Sequence, residues 1–346
     1  MPITIKDIAA LARVSKGTVS KVLNEGHGVG ADTRRRILKL IDDLDYQPNA
    51  AAQGLASRRT YNIGVIIPHT GNYSMSSAYW PLLLTAITDQ AAAKNFNVLL
   101  STARSEEDVD SAYRSVLRGR RVDGIVVSAE QFGQKQLAEL LVKGFPFVMV
   151  GKSPFLSHSY VDVDNAGGSR DMTNHLLSQG HRHIVMLAGP EHLPSVRDRV
   201  QAFRAAMSGA GLEPRVHHYS YHASHQVGTA AESIKAVILA RPRCTALFVA
   251  AGDLVPAAMR STAELGLRIP GDVALVSFDD HPLYEYFSPA LTAVSQPIHD
   301  LGQAAVELLF SLMDGTEREE KSLILPTKIV KRSSCGFQGG DVPVAV

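Results

Sequence analysis

Short apolar runs alternate with amphipathic stretches through most of this chain, and this alternation limits its fold more than any other feature. Runs such as Ile63–Ile67 and Ile184–Ala188 are rich in apolar and β-branched residues, and stretches such as 166–179 repeat apolar residues at helical spacing. The remaining runs that we predict to be strands are Val98–Ser101, Gly124–Ser128, Phe147–Val150, Ala246–Ala250 and Val273–Ser277. Strands separated by helices form parallel sheets. The number of runs favours an α/β body of two doubly wound parallel-sheet lobes over a single sheet.

A body of two lobes has a preferred place for a ligand. Polar residues at Tyr160–Asp164 follow a predicted strand and mark a natural break, and helix Ile298–Met313 suggests that the chain later crosses back. In open α/β sheets, ligands bind beyond the C-terminal ends of the strands. Two lobes that face each other would therefore enclose a small molecule.

Composition excludes several classes of protein. The chain has 346 residues, of which 45% are hydrophobic and 20% charged, as in soluble globular proteins of two or three domains. Apolar stretches stay shorter than the ~18–20 residues of a membrane helix, and residues 1–7 do not resemble a signal peptide, so we expect a cytoplasmic protein without a membrane partner. Only two cysteines, Cys244 and Cys335, are present. They favour a reducing compartment.

The charge is unevenly distributed. Residues 1–60 contain ten Lys and Arg against six Asp and Glu, a net +4, whereas residues 61–346 contain 25 against 28, a net −3. A basic head on a slightly acidic body indicates an anionic partner for the head. A solvated charged surface is the alternative explanation.

The head has the pattern of three helices. Thr4 can cap the first helix, Ser15 can cap the second, and a third begins at about Asp32. The apolar positions that we expect inside are Ile5, Ile8, Ala9, Leu11 and Ala12, then Val19, Val22 and Leu23, then Ile37, Leu38, Leu40, Ile41 and Leu44. Two short helices joined by a tight turn and followed by a third form an all-α helix-turn-helix domain.

The second helix presents small, polar and basic groups to solvent. These are Lys16, Gly17, Thr18, Ser20 and Lys21. A slim helix with such groups can enter the major groove, while helix ends and basic side chains hold phosphates. The head is therefore predicted to bind double-stranded DNA.

The amino-acid sequence of the head is similar to that of a known protein family. The matching segments are Thr4-Ile5-Lys6-Asp7-Ile8-Ala9, Val14-Ser15, Thr18-Val19-Ser20, Val22-Leu23-Asn24, Tyr46 and Pro48-Asn49. In this order they resemble the lactose/galactose repressor (LacI/GalR) family of transcriptional regulators. The resemblance implies a palindromic operator that is bound by a homodimer.

The resemblance places Lys16, Gly17 and Lys21 at the positions that select operator bases. Because Gly17 has no side chain, we expect the two lysines to carry most of the direct discrimination, and lysine suits the O6 and N7 atoms of guanine. The DNA-binding residues expected on this basis are Thr4, Ser15, Lys16, Gly17, Thr18, Ser20, Lys21, Asn24, Asn49, Ala52, Gln53 and Leu55.

Residues 49–60 connect the head to the body. This segment is rich in alanine and contains one large apolar residue, Leu55, beside Gly54. A helix so short is marginal by itself. In the resembling family it folds at the operator centre, where a leucine at the position of Leu55 wedges into the minor groove. The alternative is a flexible linker with one buried leucine.

The resemblance continues through the body and covers essentially the whole chain. Its segments include Asp164-Asn165, Gly180-His181-Arg182, Ala188-Gly189-Pro190, Phe278-Asp279-Asp280 and Gln296-Pro297. It implies a core similar to periplasmic sugar-binding proteins, with three crossovers between lobes, dimerisation through the body and an effector between the lobes. The expected domains are 1–48 for the head, 49–60 for the hinge helix and linker, 61–161 with 291–323 for lobe one, and 162–290 with 324–346 for lobe two.

The resemblance also assigns effector-contacting residues. Arg199 matches the family's arginine, while Asp279 and Asp164 match pocket carboxylates. An arginine fork and carboxylates can bind the adjacent hydroxyls of a sugar, and an aromatic face can cover its ring. The full set expected is Tyr73, Tyr79, Trp80, Asp164, Arg199, Ala251 and Asp279. Individually, Trp80 could be core, Arg199 a surface ion-pair partner and Asp279 a helix cap.

Two departures from the family concern the ligand. Ala251-Gly252 stands where the family commonly has Asn-Asp, with Asp253 one place late, and the segment Tyr73–Ala78 is longer than usual. A polar effector contact is therefore expected to be missing. The effector is predicted to be sugar-like, with a nucleoside or another polyol-like metabolite as alternatives.

Catalytic motifs are not apparent. Gly151-Lys152-Ser153 resembles part of a phosphate loop, but Pro146 occupies the position of its first glycine. His217, His218, His222 and His225 lie in a connecting region without a second ligand group, which favours exposed histidines over a metal site. We predict neither an enzyme nor a cofactor. The alternative to a regulator is a metabolic or ligand-binding protein with an unrelated helical head.

Overall fold

The computed structural model describes residues 3–23, 26–46, 59–67, 78–102, 113–114, 116–117, 119, 121–129, 133–153, 155, 157–220, 227–317 and 319–336. The chain forms two compact units, Met1–Tyr61 and Asn62–Val346. Six of the residues predicted to bind DNA or effector lie outside the described residues: Asn24, Asn49, Ala52, Gln53, Leu55 and Tyr73. Among the residues described, no helix is both long and apolar enough to cross a membrane.

The head consists of helices α1 (Ile5–Leu11), α2 (Lys16–Leu23) and α3 (Ala31–Asp43). Its core contains Ile8, Val19, Val22, Ile37 and Tyr46, all of which are buried. This arrangement confirms the predicted helix-turn-helix domain and the inward face of α2.

Two predicted core residues of the head are exposed instead. Leu11 is 58% exposed and Leu38 is 47% exposed. Leu38 follows the buried Ile37 by one residue, which turns it about 100° around the helix axis. Leu11 lies beside the buried stripe that Ile8 and Ala12 form one turn apart. Helical spacing alone predicted too wide an apolar face.

The body contains two sheets and the helices that cover them. The elements of the first part are β1 (Asn62–Ile67), α4 (Tyr79–Ala93), β2 (Asn97–Thr102), β3 (Gly124–Ser128), α5 (Gln134–Lys143), β4 (Phe147–Val150) and β5 (Tyr160–Val163). Next come α6 (Asn165–Ser178), β6 (Ile184–Ala188), α7 (Pro194–Gly209), β7 (Arg215–His218), α8 (Val227–Leu239), β8 (Ala246–Val249), α9 (Val255–Glu264) and β9 (Ala274–Ser277). The last are β10 (Thr292–Ser295), α10 (Ile298–Met313), β11 (Ser322–Leu325) and β12 (Lys328–Val330).

Each sheet has six strands in a doubly wound order. Sheet one runs β11-β5-β4-β3-β1-β2, and sheet two runs β12-β10-β9-β8-β6-β7. All neighbouring strands are parallel except β10 and β12. The strand order reverses between β1 and β3 and again between β6 and β8. These reversals are the places where α/β sheets bind ligands.

The crossovers correct the expected lobe limits. Strand β10 was expected in lobe one, but it pairs with β9 in sheet two. The chain therefore returns to lobe one only with α10, which packs on α4. The expected limits at 161/162 and 323/324 also cut through β5 and β11, which pair along their whole length in sheet one. Pairing of β-strands decides these limits, and local composition does not reveal it.

A close helix contact holds lobe one together. At Gly302 of α10, an added Cβ would lie 2.7 Å from the Cβ of Ala86 and 3.1 Å from the carbonyl oxygen of Leu83. Leu83, Ile87 and Leu309 are fully buried around this contact. The absence of a side chain at Gly302 is what lets α10 approach α4.

Candidate functional site

Side-chain hydrogen bonds stabilise the N-termini of the first two helices of the head, α1 and α2. The Thr4 backbone N–H and hydroxyl both donate to Asp7 Oδ2, at 2.8 and 2.7 Å, and these bonds lower the pKa of Asp7. Ser15 Oγ accepts from the backbone N–H of Thr18 at 3.1 Å and lies 2.9 Å from its hydroxyl. Ser15 thus caps the N-terminus of α2, as predicted.

The outer face of α2 has the chemistry of a DNA-reading surface. Lys16, Gly17 and Lys21 are exposed, and Thr18 and Ser20 are half-buried. Among the described residues, and apart from the backbone of α2 itself, an added Cβ at Gly17 would come within 4 Å only of Ser15 Oγ, at 3.6 Å, which is an ordinary contact. The folded head therefore has space for a side chain at this position.

The basic run at the start of α3 has a partly structural role. Arg34 Nη2 donates to the carbonyl of Gly26 at 2.6 Å and so ties the preceding loop to the helix. Arg35 lies 3.4 Å from Asp32, but both side chains are highly exposed, and such pairs contribute little.

Arg199 lies at the strand reversal of sheet two. It is in the second turn of α7, which follows β6, and its Nη1 donates to the carbonyl of Ala250 after β8, at 2.9 Å. Its Nε donates to Asn165 Oδ1 at 2.8 Å. The guanidinium also lies 3.7 Å from the ring centroid of Phe278. Among the described residues, no hydrogen bond engages Nη2, which leaves that nitrogen available to a ligand.

Asp279 is held beside Arg199 by the loops after the neighbouring strands. Gly252 N–H donates to its Oδ2 at 3.2 Å, and Gln296 Nε2 donates to its Oδ1. An added Cβ at Gly252 would lie 2.9 Å from Oδ2, so glycine permits this approach. Burial raises the pKa of Asp279, the positive charge of Arg199 opposes that shift, and the charge of Asp253 adds to it.

Ala251 and Asp253 share this edge of sheet two. Ala251 lies between Ala250, whose carbonyl accepts a hydrogen bond from Arg199, and Gly252, whose N–H donates one to Asp279. Burial raises the pKa of Asp253, which lies in the short turn after β8. From the sequence, Asp253 was noted only because it lies one position later than the aspartate that is common in the family.

Asp164 has a clear structural role. Its Oδ1 accepts from the N–H of Gly167 at 2.7 Å and caps α6. A Cβ at Gly167 would collide with this carboxylate, at 2.0 Å from Oδ2. The contacts of Asp164 are those of a helix cap at the crossing from sheet one to lobe two.

Two of the three predicted aromatic residues lie in lobe one, and the third, Tyr73, lies outside the described residues. Tyr79 and Trp80 begin α4 beyond the C-terminal end of β1, where sheet one reverses its strand order. Their rings meet edge to face with centroids 5.5 Å apart. Both are half-buried and pack against the core of sheet one.

The structure adds polar residues that the sequence analysis did not select. Asp162 and Asn165 are 8% and 3% exposed, and they hydrogen-bond to one another at 3.1 Å. Lys152, which follows β4 of sheet one, forms an ion pair with Asp198 of α7. The available signal was a charged residue, Asp162, inside an otherwise apolar strand.

Comparison with known proteins identifies both parts of the chain. Residues 4–49 match the model of bacterial regulatory proteins of the lacI family, and residues 173–335 match that of a periplasmic binding protein-like domain. The solved lac repressor dimer bound to operator and the anti-inducer ONPF superposes with a TM-score of 0.83 at 26% identity, covering 97% of this chain and 99% of that chain.

Full-length relatives agree with these matches. The transcriptional regulator CelR of Thermobifida fusca is 32% identical over 96% of this chain and 98% of its own. Catabolite control protein A of Streptococcus mutans is 31% identical over the same shares. A solved CelR–cellobiose complex superposes with a TM-score of 0.70 at 28% identity, covering 96% of this chain and 99% of that chain. The chain therefore belongs to the LacI family of DNA-binding transcriptional regulators and is not an enzyme.

Proposed function

We propose that this regulator is a repressor whose affinity for a palindromic operator is controlled by a neutral, sugar-like effector bound between the lobes. The observation that carries the proposal is the placement of Arg199, in the second turn of α7, near Asp279, which follows β9 at the C-terminal edge of sheet two. An arginine donor beside a carboxylate acceptor suits vicinal hydroxyls, which both donate and accept.

The charge around this site favours an uncharged effector. Asp162 and Asp279 interact electrostatically with Arg199, and Asp253 interacts with Asp279, whereas the nearby Lys152 is already paired with Asp198. A phosphate or carboxylate would meet more negative than positive charge and would lose its hydration as well. Hydroxyl groups can instead donate to the carboxylates.

The head supports the DNA-binding part of the proposal. Lys16 and Lys21 are exposed on α2, while Val19 and Val22 anchor that helix in the core. We assign base discrimination to the two lysines and backbone positioning to Thr4, Ser15, Thr18 and Ser20. Two heads of a homodimer would read the two halves of a palindrome.

Control requires that the effector bind the DNA-competent and DNA-incompetent states with different affinities. A change in lobe placement would alter the spacing of the two heads and the folding of the 49–57 segment, with Leu55 as the minor-groove wedge. The effector proposed here is a sugar; a nucleoside is the second candidate, because its ribose carries the same vicinal hydroxyls.

The first experiment is selection of operator DNA from a randomised duplex pool by the purified full chain, repeated at higher salt. We expect a palindromic site with a deformable central step, and retention that falls with salt. The Lys21→Gln variant should relax discrimination at the selected bases, whereas exchange of the exposed Lys143 to Gln should not. Absence of enrichment, both alone and with pooled sugars and nucleosides, would contradict the proposal.

The effector is then identified by thermal shift with separate panels of neutral sugars including cellobiose, phosphorylated sugars and nucleosides. A hit that also changes operator affinity is expected among the neutral sugars. Hits confined to phosphorylated sugars would overturn the charge argument, and hits confined to nucleosides would select the second candidate.

A further inference from the structure

Five residues form a closed ring of polar contacts between sheet one and the helix that carries Arg199. The backbone N–H of Lys152 donates to Asp162 Oδ2 at 3.3 Å, and Asp162 Oδ1 accepts from Asn165 Nδ2 at 3.1 Å. Asn165 Oδ1 then accepts from Arg199 Nε at 2.8 Å. The ring closes through Asp198, the residue before Arg199, which pairs with the ammonium of Lys152.

The ring crosses between the lobes at two places. Lys152 and Asp162 belong to the segments of β4 and β5 in sheet one, whereas Asn165 begins α6, which packs on α7 of lobe two. The hydrogen bond between Asp162 and Asn165 spans the crossing segment itself. The ion pair between Lys152 and Asp198 is a second link, between residues that are far apart in the sequence.

The side-chain amide of Asn165 can connect a carboxylate to a guanidinium. An ionised carboxylate only accepts hydrogen bonds, and a guanidinium only donates them. The amide of Asn165 donates to Asp162 and accepts from Arg199, so one side chain satisfies both. Because Asn165 is 3% exposed, water does not readily replace either bond.

This arrangement holds Arg199 without neutralising it. A direct carboxylate partner on Nε would form an ion pair and reduce the attraction of the guanidinium for a ligand. The amide fixes the orientation of the fork and leaves its charge in place. The carboxylate of Asp162 is itself held by the N–H groups of Val163, at 2.7 Å, and Lys152.

We propose that Asp162 and Asn165 are positioning residues for Arg199, and that Lys152 makes the position of Arg199 depend on the placement of lobe one. Lobe placement and the orientation of the effector-binding fork are then coupled through the ring. This inference deepens the proposed effector function and rests on it for its biological meaning. The coupling itself is a property of the ligand-free protein.

The test follows the Nε–H of Arg199 by ¹H–¹⁵N NMR of the full chain without ligand, with the resonance assigned from its loss in Arg199→Lys. We expect a slowly exchanging signal, because the N–H donates to a buried amide oxygen. Lys152→Met should speed its exchange by about tenfold, since one of the two links that the ring makes between the lobes is removed. Asp198→Asn should give the same change.

Three further variants test the route of the effect. Lys143→Met removes a lysine that pairs with Glu139 within α5 and should leave the signal unchanged. Asn165→Asp keeps an acceptor for Arg199 but loses the donor to Asp162, so Lys152→Met should have little further effect in that background. Asn165→Leu should abolish slow exchange.

Several results would overturn the proposal. They are an Arg199 signal that does not respond to Lys152→Met, an equal response to Lys143→Met, and an undiminished response in the Asn165→Asp background. Unlike responses to Lys152→Met and Asp198→Asn would also overturn it, because a freed carboxylate rather than the ring would then be the cause. None of these measurements uses a ligand. They can therefore be interpreted even if the proposed effector function is wrong.

Discussion

The guanidinium of Arg199 lies 3.7 Å from the ring centroid of Phe278, the residue directly before Asp279. The ring covers one face of the guanidinium, while Asn165 and the Ala250 carbonyl bind two of its nitrogens in the plane. A fork held in this way has little freedom to rotate, so a ligand that binds its remaining N–H groups meets donors already in place.

Substitution Arg199→Ala should remove the response to effector. We expect the ligand identified in the sugar panel to bind more weakly by about 2–3 kcal/mol, since charge-assisted hydrogen bonds are lost. Operator affinity without ligand should stay close to that of the parent. Isothermal titration and operator binding measure the two quantities. The matched control is Arg197→Ala, an exposed residue of the same helix; a normal response in Arg199→Ala would remove this residue from the site.

Substitution Gly17→Ala should change stability and DNA binding in opposite directions. The added methyl has space in the folded head, and alanine favours the helix by about 1 kcal/mol. If the backbone of α2 approaches the bases closely at this glycine, operator affinity should fall by about tenfold, comparable to one mismatched base pair. Hydrogen exchange of α2 and operator titration report the two effects. Equal or better operator binding would argue against close approach.

Substitution Gly302→Ala should destabilise the body although alanine is the better helix former. The new methyl would lie 2.7 Å from the Cβ of Ala86, and overpacking of this kind costs about 1–3 kcal/mol. Gly228→Ala is the control, because the structure has nothing within 4 Å of an added Cβ there among the described residues. Thermal unfolding should show a lower Tm for the first variant and an equal or higher one for the second.

His175 should make the protein less stable in mild acid. Burial lowers its pKa below the usual 6.5, and the charges of Lys331 and His181 add to that shift. Below the unfolded-state pKa, the unfolded chain binds a proton that the folded chain does not, so stability falls as pH decreases from about 7 and levels off below the folded-state pKa.

The His175→Gln variant should therefore show a smaller loss of stability between about pH 7 and pH 5 than the parent. Urea unfolding at each pH provides the comparison, and His192→Gln, at an exposed position, should retain the parental slope. Raised pKa values at Asp162, Asp253 and Asp279 act in the opposite direction. They are common to all three proteins, so the difference isolates His175; parallel slopes would contradict the prediction.

Sequence patterns predicted strands β1 to β4, β6, β8 and β9 but missed the edge strands β7 and β11. Strands β7 and β11 each have one neighbour, and their residues include exposed polar positions. An edge strand owes its conformation to backbone hydrogen bonds with that neighbour more than to an apolar pattern. The same reason applies to β12 at the edge of sheet two. Strand β5 has two neighbours, but the charged Asp162 interrupts its apolar pattern. The membership of β10 in sheet two depends on its pairing with β9 and β12.

In the candidate site too, some residues were predicted from the sequence and others were found only in the structure. Arg199 and Asp279 were predicted from their match to the family, and the structure brings them together. Asp164 was predicted for the same reason, and its contacts are those of a cap, whereas the buried Asp162 two residues earlier supports Arg199 through Asn165. Which of two nearby carboxylates faces the arginine depends on how β5 and α6 pack.

The sequence by itself determined the helix-turn-helix head, the caps at Thr4 and Ser15, and the alternation of strands and helices in the body. These features depend on residues within a few positions of one another, through helical and strand periodicity and local hydrogen bonds. Only the tertiary structure decided where the chain crosses between lobes and that Lys152 meets Asp198. Such contacts join distant segments, and the packing of whole sheets and helices sets them.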